Sequence, residues 1–382
     1  MDRIQLYQAG SVICGPGSIS ELPTMLQGLG IRRCLVVTTS NVKPLLEGVF
    51  AGIKRFGLEV VEAPSVDREP TVSDLIRVLE CARTTKPDLV IGIGGGSVMD
   101  VAKIVSVLAE DNRPVHEYFG TDTVPARKVV LICVPTTAGT GSEASPNAII
   151  LDEQTLEKKA IISRYLLPDY VILDPELLVS VPPRVTAATG MDALVHCIEA
   201  YTNRRAHAMV DEFALAGIRL LAAGLPKAVQ NGSDLLARTQ TLIGSYFGGL
   251  CLGPVGTAGV HALAYPLNGR FGIPHGVANA LMLPYVVYFN FQVMKDRYFR
   301  VLRELGLLPV DDVAVLTPEQ TKDVLCGFVS GLGLPNRLRD VGITWETLPG
   351  LAASAMRVSR LLGNNPRLIT ESDALAIYQL AF

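Results

Sequence analysis

The feature that most constrains how this chain can fold is a change of period at Pro182-Pro183. As far as Leu178, short β-branched runs alternate with helical segments; beyond the two prolines apolar residues recur at helical spacing. Cys34-Leu35-Val36-Val37-Thr38-Thr39 predicts a buried strand, 44–56 a helix, 58–62 a second strand, 72–84 a helix, and Asp88-Leu89-Val90-Ile91-Gly92-Ile93 a third strand. Residues 129–134 predict another strand. Strands joined through helices need right-handed crossovers, so the sheet is expected to be mostly parallel. After the prolines, 189–201, 206–230, 235–250, 275–291, 317–331, 348–358 and 371–381 predict helices separated by glycine, proline or asparagine. The expected organisation is an α/β domain over residues 1–182 and an all-α domain over 183–382, with the functional site in the cleft between them.

Two glycine-rich turns follow predicted strands in the first half. Gly94-Gly95-Gly96-Ser97 opens the helical sequence that continues through Asp100 to Lys103. Such a turn exposes backbone N–H groups and the positive end of the helix dipole, which together cradle a phosphate. It is not the G-x-G-x-x-G fingerprint, because the sixth position is Ser97 and no acidic residue follows about twenty positions on at a strand end. Glycine turns without any ligand are common. The second turn, Pro135-Thr136-Thr137-Ala138-Gly139-Thr140-Gly141-Ser142-Glu143, adds small hydroxyl side chains suited to a pyrophosphate or ribose. Two turns at the carboxyl ends of parallel strands mark the usual ligand crevice of an open α/β sheet.

The second half holds four candidate metal ligands, Asp192, His196, His261 and His275. Asp192 and His196 are four apart, which places both on one helical face with Cβ atoms ~6 Å apart. No Asp, Glu, Lys or Arg lies between Arg238 and Arg270, yet His261 falls inside that run and His275 just beyond it. A lone buried histidine is usually a hydrogen-bonded core residue. Three of the chain's five histidines grouped with an aspartate weigh the other way. Carboxylate and imidazole without thiolate suit Fe2+, Zn2+ or Mn2+.

Composition narrows the partners. The net charge is −3, with no basic stripe or charge block, so nothing asks for nucleic acid or an anionic membrane, and a small-molecule substrate is expected. Seven scattered cysteines, odd in number and without C-x-x-C, argue for reduced thiols in a cytoplasm. No signal peptide is read at Met1-Asp2-Arg3-Ile4-Gln5. The uncharged stretch over 241–265 is long enough to span a bilayer, but its glycines, Pro254 and His261, with no flanking Lys/Arg asymmetry, favour buried core helices.

Taken together, Gly15-Pro16-Gly17-Ser18, the Gly94 and Pro135 turns, the sequence from Gly190 to Tyr201, Pro274-His275-Gly276 and Asn365-Pro366-Arg367 resemble the iron-containing (group III) alcohol dehydrogenases. The likeness covers nearly the whole chain. It implies a dehydroquinate synthase-like fold, with a nucleotide-binding α/β domain and a helical metal-binding domain. It implies reversible oxidation of a small alcohol to an aldehyde or ketone with NAD or NADP, Fe2+ (alternatively Zn2+ or Mn2+), and a homodimer or larger oligomer. By position, Asp192, His196, His261 and His275 match the family's metal ligands. Gly95, Gly96, Ser97, Asp100, Thr136, Thr137 and Lys158 match its cofactor contacts, and Asn147 falls where members approach substrate.

Two departures stand out. Many members carry a further histidine four residues after the third ligand; here that position is Tyr265, whose reference pKa of ~10 makes it a poor base at neutral pH. NAD-preferring members commonly place an aspartate after the second strand, against the adenosine ribose. Here Thr39, Ser40 and Asn41 stand there, which leaves the cofactor open with a lean to NADP tolerance. The mechanism expected is Lewis-acid activation of the substrate oxygen by the cation, with hydride passing between substrate carbon and nicotinamide. The rivals are a metal-independent maleylacetate reductase, a dehydroquinate synthase-like cyclase, and a non-enzymatic scaffold. Arg270 either attracts an anionic substrate or is a solvated loop residue.

Overall fold

The computed structural model describes residues 3–155, 157–308 and 316–382; Met1 and Asp2 of the N-terminal reading lie outside them. The chain divides into two compact units, one made of Leu6–Thr137 and Gly141–Ser180, the other of Val181–Phe382 together with Met1–Gln5 and Ala138–Thr140.

The first unit runs β1 (Ser11–Cys14), α1 (Leu22–Gln27), β2 (Arg33–Thr38), α2 (Glu47–Arg55), β3 (Glu59–Glu62), α3 (Val72–Thr85), β4 (Leu89–Gly94), α4 (Gly96–Leu108), β5 (Gly120–Thr121), β6 (Val130–Pro135), β7 (Asn147–Asp152), β8 (Glu157–Ile162) and β9 (Tyr170–Leu173). Among the described residues its main sheet has the order β1-β9-β6-β4-β2-β3, with every pairing parallel. The central strands are buried along their length, which is why their sequences read as continuous apolar runs rather than alternating ones. A small second sheet, β5-β8-β7, includes the antiparallel pair β7–β8, which the sequence reading did not anticipate. Its strand burial is mixed, so no clean period marked it.

The second unit is helical: α5 (Pro183–Tyr201), α6 (Ala208–Gln230), α7 (Leu235–Leu252), α8 (Gly259–Phe271), α9 (His275–Glu304), α10 (Pro318–Gly331), α11 (Leu348–Ala355), α12 (Ser359–Leu362) and α13 (Glu371–Ala381). Helix α5 begins at Pro183, six residues earlier than expected, because proline is well suited to a first helical turn. The uncharged 241–265 stretch is split between α7 and α8. Helix α8 falls partly in the stretch expected to form buried core helices, but no bounds were read for it. It is apolar on nearly every side and carries Pro266, so it shows no amphipathic stripe. Helix α9 is long and apolar enough to cross a membrane, yet 72% of its apolar window is buried, as in a core helix.

Helix α5 is the centre of this unit, packed by α6, α7, α8 and α9. Its Met191, Leu194, Val195 and Ile198 join Leu263 of α8 and Leu281 of α9 in one core. The approach of α9 to α5 depends on Gly276, where a Cβ would stand 2.1 Å from the Ala188 carbonyl oxygen.

Candidate metal centre and cofactor turns

Within the helical unit, three elements converge on one oxygen. Asp192 and His196 lie one turn apart on α5, His261 is in the first turn of α8, and His275 is the first residue of α9. From Asp192 Oδ1 the Nε2 atoms of His196, His261 and His275 are 3.7, 3.6 and 3.5 Å away. The donor atoms of Asp192, His261 and His275 all lie within 4.8 Å of one another. The His196 and His261 rings stack at 4.9 Å between centroids. Asp192, His261 and His275 form the compact donor group, His196 stands one turn away on α5, and carboxylate and imidazole are the donors that Zn2+ and Fe2+ take. Donor types and separations therefore fit a divalent cation.

Burial alone would raise the Asp192 carboxyl, but the surrounding imidazoles outweigh it and hold the group well below the usual carboxylate range. Burial pushes His196 down to about 4, favouring the neutral ring a metal requires. Burial also opposes charge on His261, but Glu199 and Asp192 prevail and raise it to about 9.

Glu199 is the principal residue that the sequence reading missed. Its Oε1 accepts from the Val260 N–H at 2.6 Å, and its Oε2 lies 2.6 Å from His261 Nδ1. One buried carboxylate thus satisfies an open N–H in the first turn of α8 and orients the imidazole beside it. A signal was present: Asp192, His196 and Glu199 fall at i, i+4 and i+7, one helical face. Asn279, one turn after His275 on α9, places Nδ2 2.7 Å from Asp192 Oδ1, 3.1 Å from His261 Nε2 and 3.2 Å from His275 Nε2. Its Oδ1 is buried and has no hydrogen-bond partner among the described residues. Tyr265 also borders the cluster, with its ring centroid 5.7 Å from that of His275 and 6.5 Å from that of His261.

In the α/β unit the two turns lie side by side, because β4 and β6 are neighbours and Thr136 N donates to the Gly94 carbonyl at 2.9 Å. Gly95 caps the thirteen-residue α4, and Gly96 and Ser97 form its first turn. A Cβ on Gly95 would sit in van der Waals contact with Thr137 Oγ1 at 3.4 Å, so the two turns face each other at side-chain contact distance. Both carboxylate oxygens of Asp100 are engaged inside the protein, one by the Ser142 hydroxyl and the other by Ile149 N at 2.9 Å. Asp100 thereby ties α4 to the turn. Lys103, fully buried, donates to the carbonyls of Ser142 and Ser145 at 2.8 Å each and to that of Asn147. It too was missed. Lys158 on β8 pairs with Glu69 at 2.5 Å. Thr39 follows β2, and its Oγ1 accepts from Val42 N at 3.2 Å. In the helical unit Arg270 lies at the end of α8, with Nη1 3.4 Å from the Ser354 hydroxyl on α11.

Comparison with known proteins follows this division. Residues 9–175 match the family model "Iron-containing alcohol dehydrogenase", and residues 186–382 match "Fe-containing alcohol dehydrogenase family, C-terminal". Long-chain-alcohol dehydrogenase 1 of Geobacillus thermodenitrificans is 40% identical over 373 residues, covering 96% of this chain and 94% of its own. The crystal structure of a 1,3-propanediol oxidoreductase superposes with a TM-score of 0.94 at 30% identity over the full length of both chains. A sulfoacetaldehyde reductase from Bifidobacterium kashiwanohense, solved in complex with NAD+, gives a TM-score of 0.89 at 27% identity, covering 100% of this chain and 99% of its own.

Proposed function

The chain belongs to the iron-containing alcohol dehydrogenase family and is an alcohol–aldehyde oxidoreductase, and from that premise we propose that Asp192, His196, His261 and His275 hold its catalytic cation. The observation that carries this reading is the convergence of three imidazole nitrogens within 3.7 Å of one buried carboxylate oxygen. When bound, a divalent cation supplies Lewis acidity toward the substrate oxygen, and a nicotinamide nucleotide supplies or accepts the hydride. Gly95, Gly96 and Ser97 bind the nucleotide's phosphates at the start of α4, and Thr136 and Thr137 contact its ribose. Asp100 and Lys103 act beneath them by fixing the turn's shape. Asn147 and Lys158 are assigned to the substrate and cofactor sides respectively. Tyr265 is assigned a hydrogen-bonding role toward substrate, since a phenol donates well and is a weak base at neutral pH. Fe2+ is the cation proposed first, and the substrate is a small alcohol or aldehyde. A cytoplasmic homo-oligomer is the proposed setting.

The test is metal analysis of purified protein combined with an aldehyde panel read by oxidation of NADH and NADPH. Asp192→Ala and His261→Ala should each lose bound metal and turnover together. Near-full activity in either variant at unchanged metal content overturns the assignment.

A further inference from the structure

The adenosine end of the cofactor turns shows a feature that the sequence hid. The turn directly after β2, Thr39-Ser40-Asn41, holds no carboxylate, but Asp67, in the segment after β3, reaches back 27 residues to Ser40. Its Oδ1 accepts from Ser40 N at 2.6 Å, and its Oδ2 accepts from the Ser40 hydroxyl at 2.9 Å and the Ser65 hydroxyl at 2.7 Å. Three donors therefore converge on one anionic group at the carboxyl end of β2, two strands from β6. These are the kinds of donor that would bind a ribose 2'-phosphate. The hydrogen bonds from Ser40 and Ser65 hold Asp67 below its ordinary range, so it is ionised at neutral pH. The nearby cations are turned to other partners: Lys43 pairs with Glu62 at 2.6 Å, and Arg68 lies 3.6 Å from Asp74.

We propose that Asp67 selects NAD over NADP: its carboxylate occupies the donors a 2'-phosphate would need and accepts a hydrogen bond from a ribose hydroxyl instead. The inference rests on the reading that the β2, β4 and β6 turns bind a dinucleotide. NADP would have to displace a carboxylate from Ser40 and Ser65 and lie beside a like charge, whereas the 2'-hydroxyl of NAD meets an acceptor already in place. This replaces the lean to NADP tolerance that Thr39-Ser40-Asn41 alone suggested.

The experiment is fluorescence titration of the purified protein with NADH and with NADPH, alongside kcat/KM for each, in the parent protein, Asp67→Asn and Asp67→Ala. Asn keeps the size and removes the charge. The parent should bind NADH at least about tenfold more tightly than NADPH, and both variants should bring the two within about threefold, mainly by tightening NADPH. A parent that prefers NADPH, or a ratio unchanged in both variants, overturns the role of Asp67 while leaving the dehydrogenase reading intact. Failure of both nucleotides to bind would overturn the dehydrogenase reading and this inference with it.

Discussion

At the scale of single residues, Glu199 shows how one carboxylate can serve two ends. Its two oxygens go to the Val260 N–H and His261 Nδ1, both at 2.6 Å and both buried. Holding Nδ1–H against Glu199 turns Nε2 toward Asp192, where it would offer its lone pair to a cation once the cation has displaced its proton. Glu199→Gln keeps an acceptor for the helix but removes the charge behind the imidazole. We expect metal affinity to fall about 10- to 100-fold, measured by competition with a chelating dye. Equal dissociation constants in the parent, Glu199→Gln and Glu199→Ala would assign Glu199 to helix capping alone.

At the scale of elements, the site depends on how closely α9 lies against α5. A methyl group at Gly276 would sit 2.1 Å from the Ala188 carbonyl oxygen, and backbone cannot yield as a side-chain tip can. Gly276→Ala should force the start of α9, and His275 with it, away from Asp192. Overpacking of this kind costs about 1–3 kcal/mol. The expected result is a lower Tm together with weaker metal uptake. Gly269→Ala on α8 is the control, since nothing lies within 4 Å of its added Cβ and alanine favours a helix by about 0.5–1 kcal/mol. If the two variants bind metal equally well, the close approach is not what positions His275.

At the scale of the whole molecule, the pH dependence of stability should carry the signature of Glu143. Burial raises its pKa from 4.5 to about 7, only partly offset by its backbone and by Lys103. The folded protein then holds a proton that the unfolded chain has already released, so stability falls as pH rises from 4.5 toward about 7 and stays at the lower level above. The span is on the order of 3 kcal/mol at ~1.4 kcal/mol per unit. Glu143→Gln should therefore raise Tm at pH 8 and change it little at pH 4. A Tm difference between variant and parent that is the same at both pH values would show that Glu143 is not the group titrating.

What the sequence determined by itself is what a single element carries within its own few turns. Continuous apolar runs between helices specify a parallel sheet, glycines after β4 mark the opening of α4, and the four-residue spacing of Asp192 and His196 puts both on one face of α5, because helix geometry is local. The bounds of α8 escaped that reading because a helix buried on nearly every side along most of its length has no polar face to set its period. Only tertiary structure decided that His261 and His275 meet Asp192, that Glu199 reaches across to α8, and that Asp67 supplies the carboxylate missing from the turn directly after β2. Those pairings join residues on different elements. They are set by how closely packed backbones approach and by which buried donors find acceptors, and neither is written in the spacing of any one stretch.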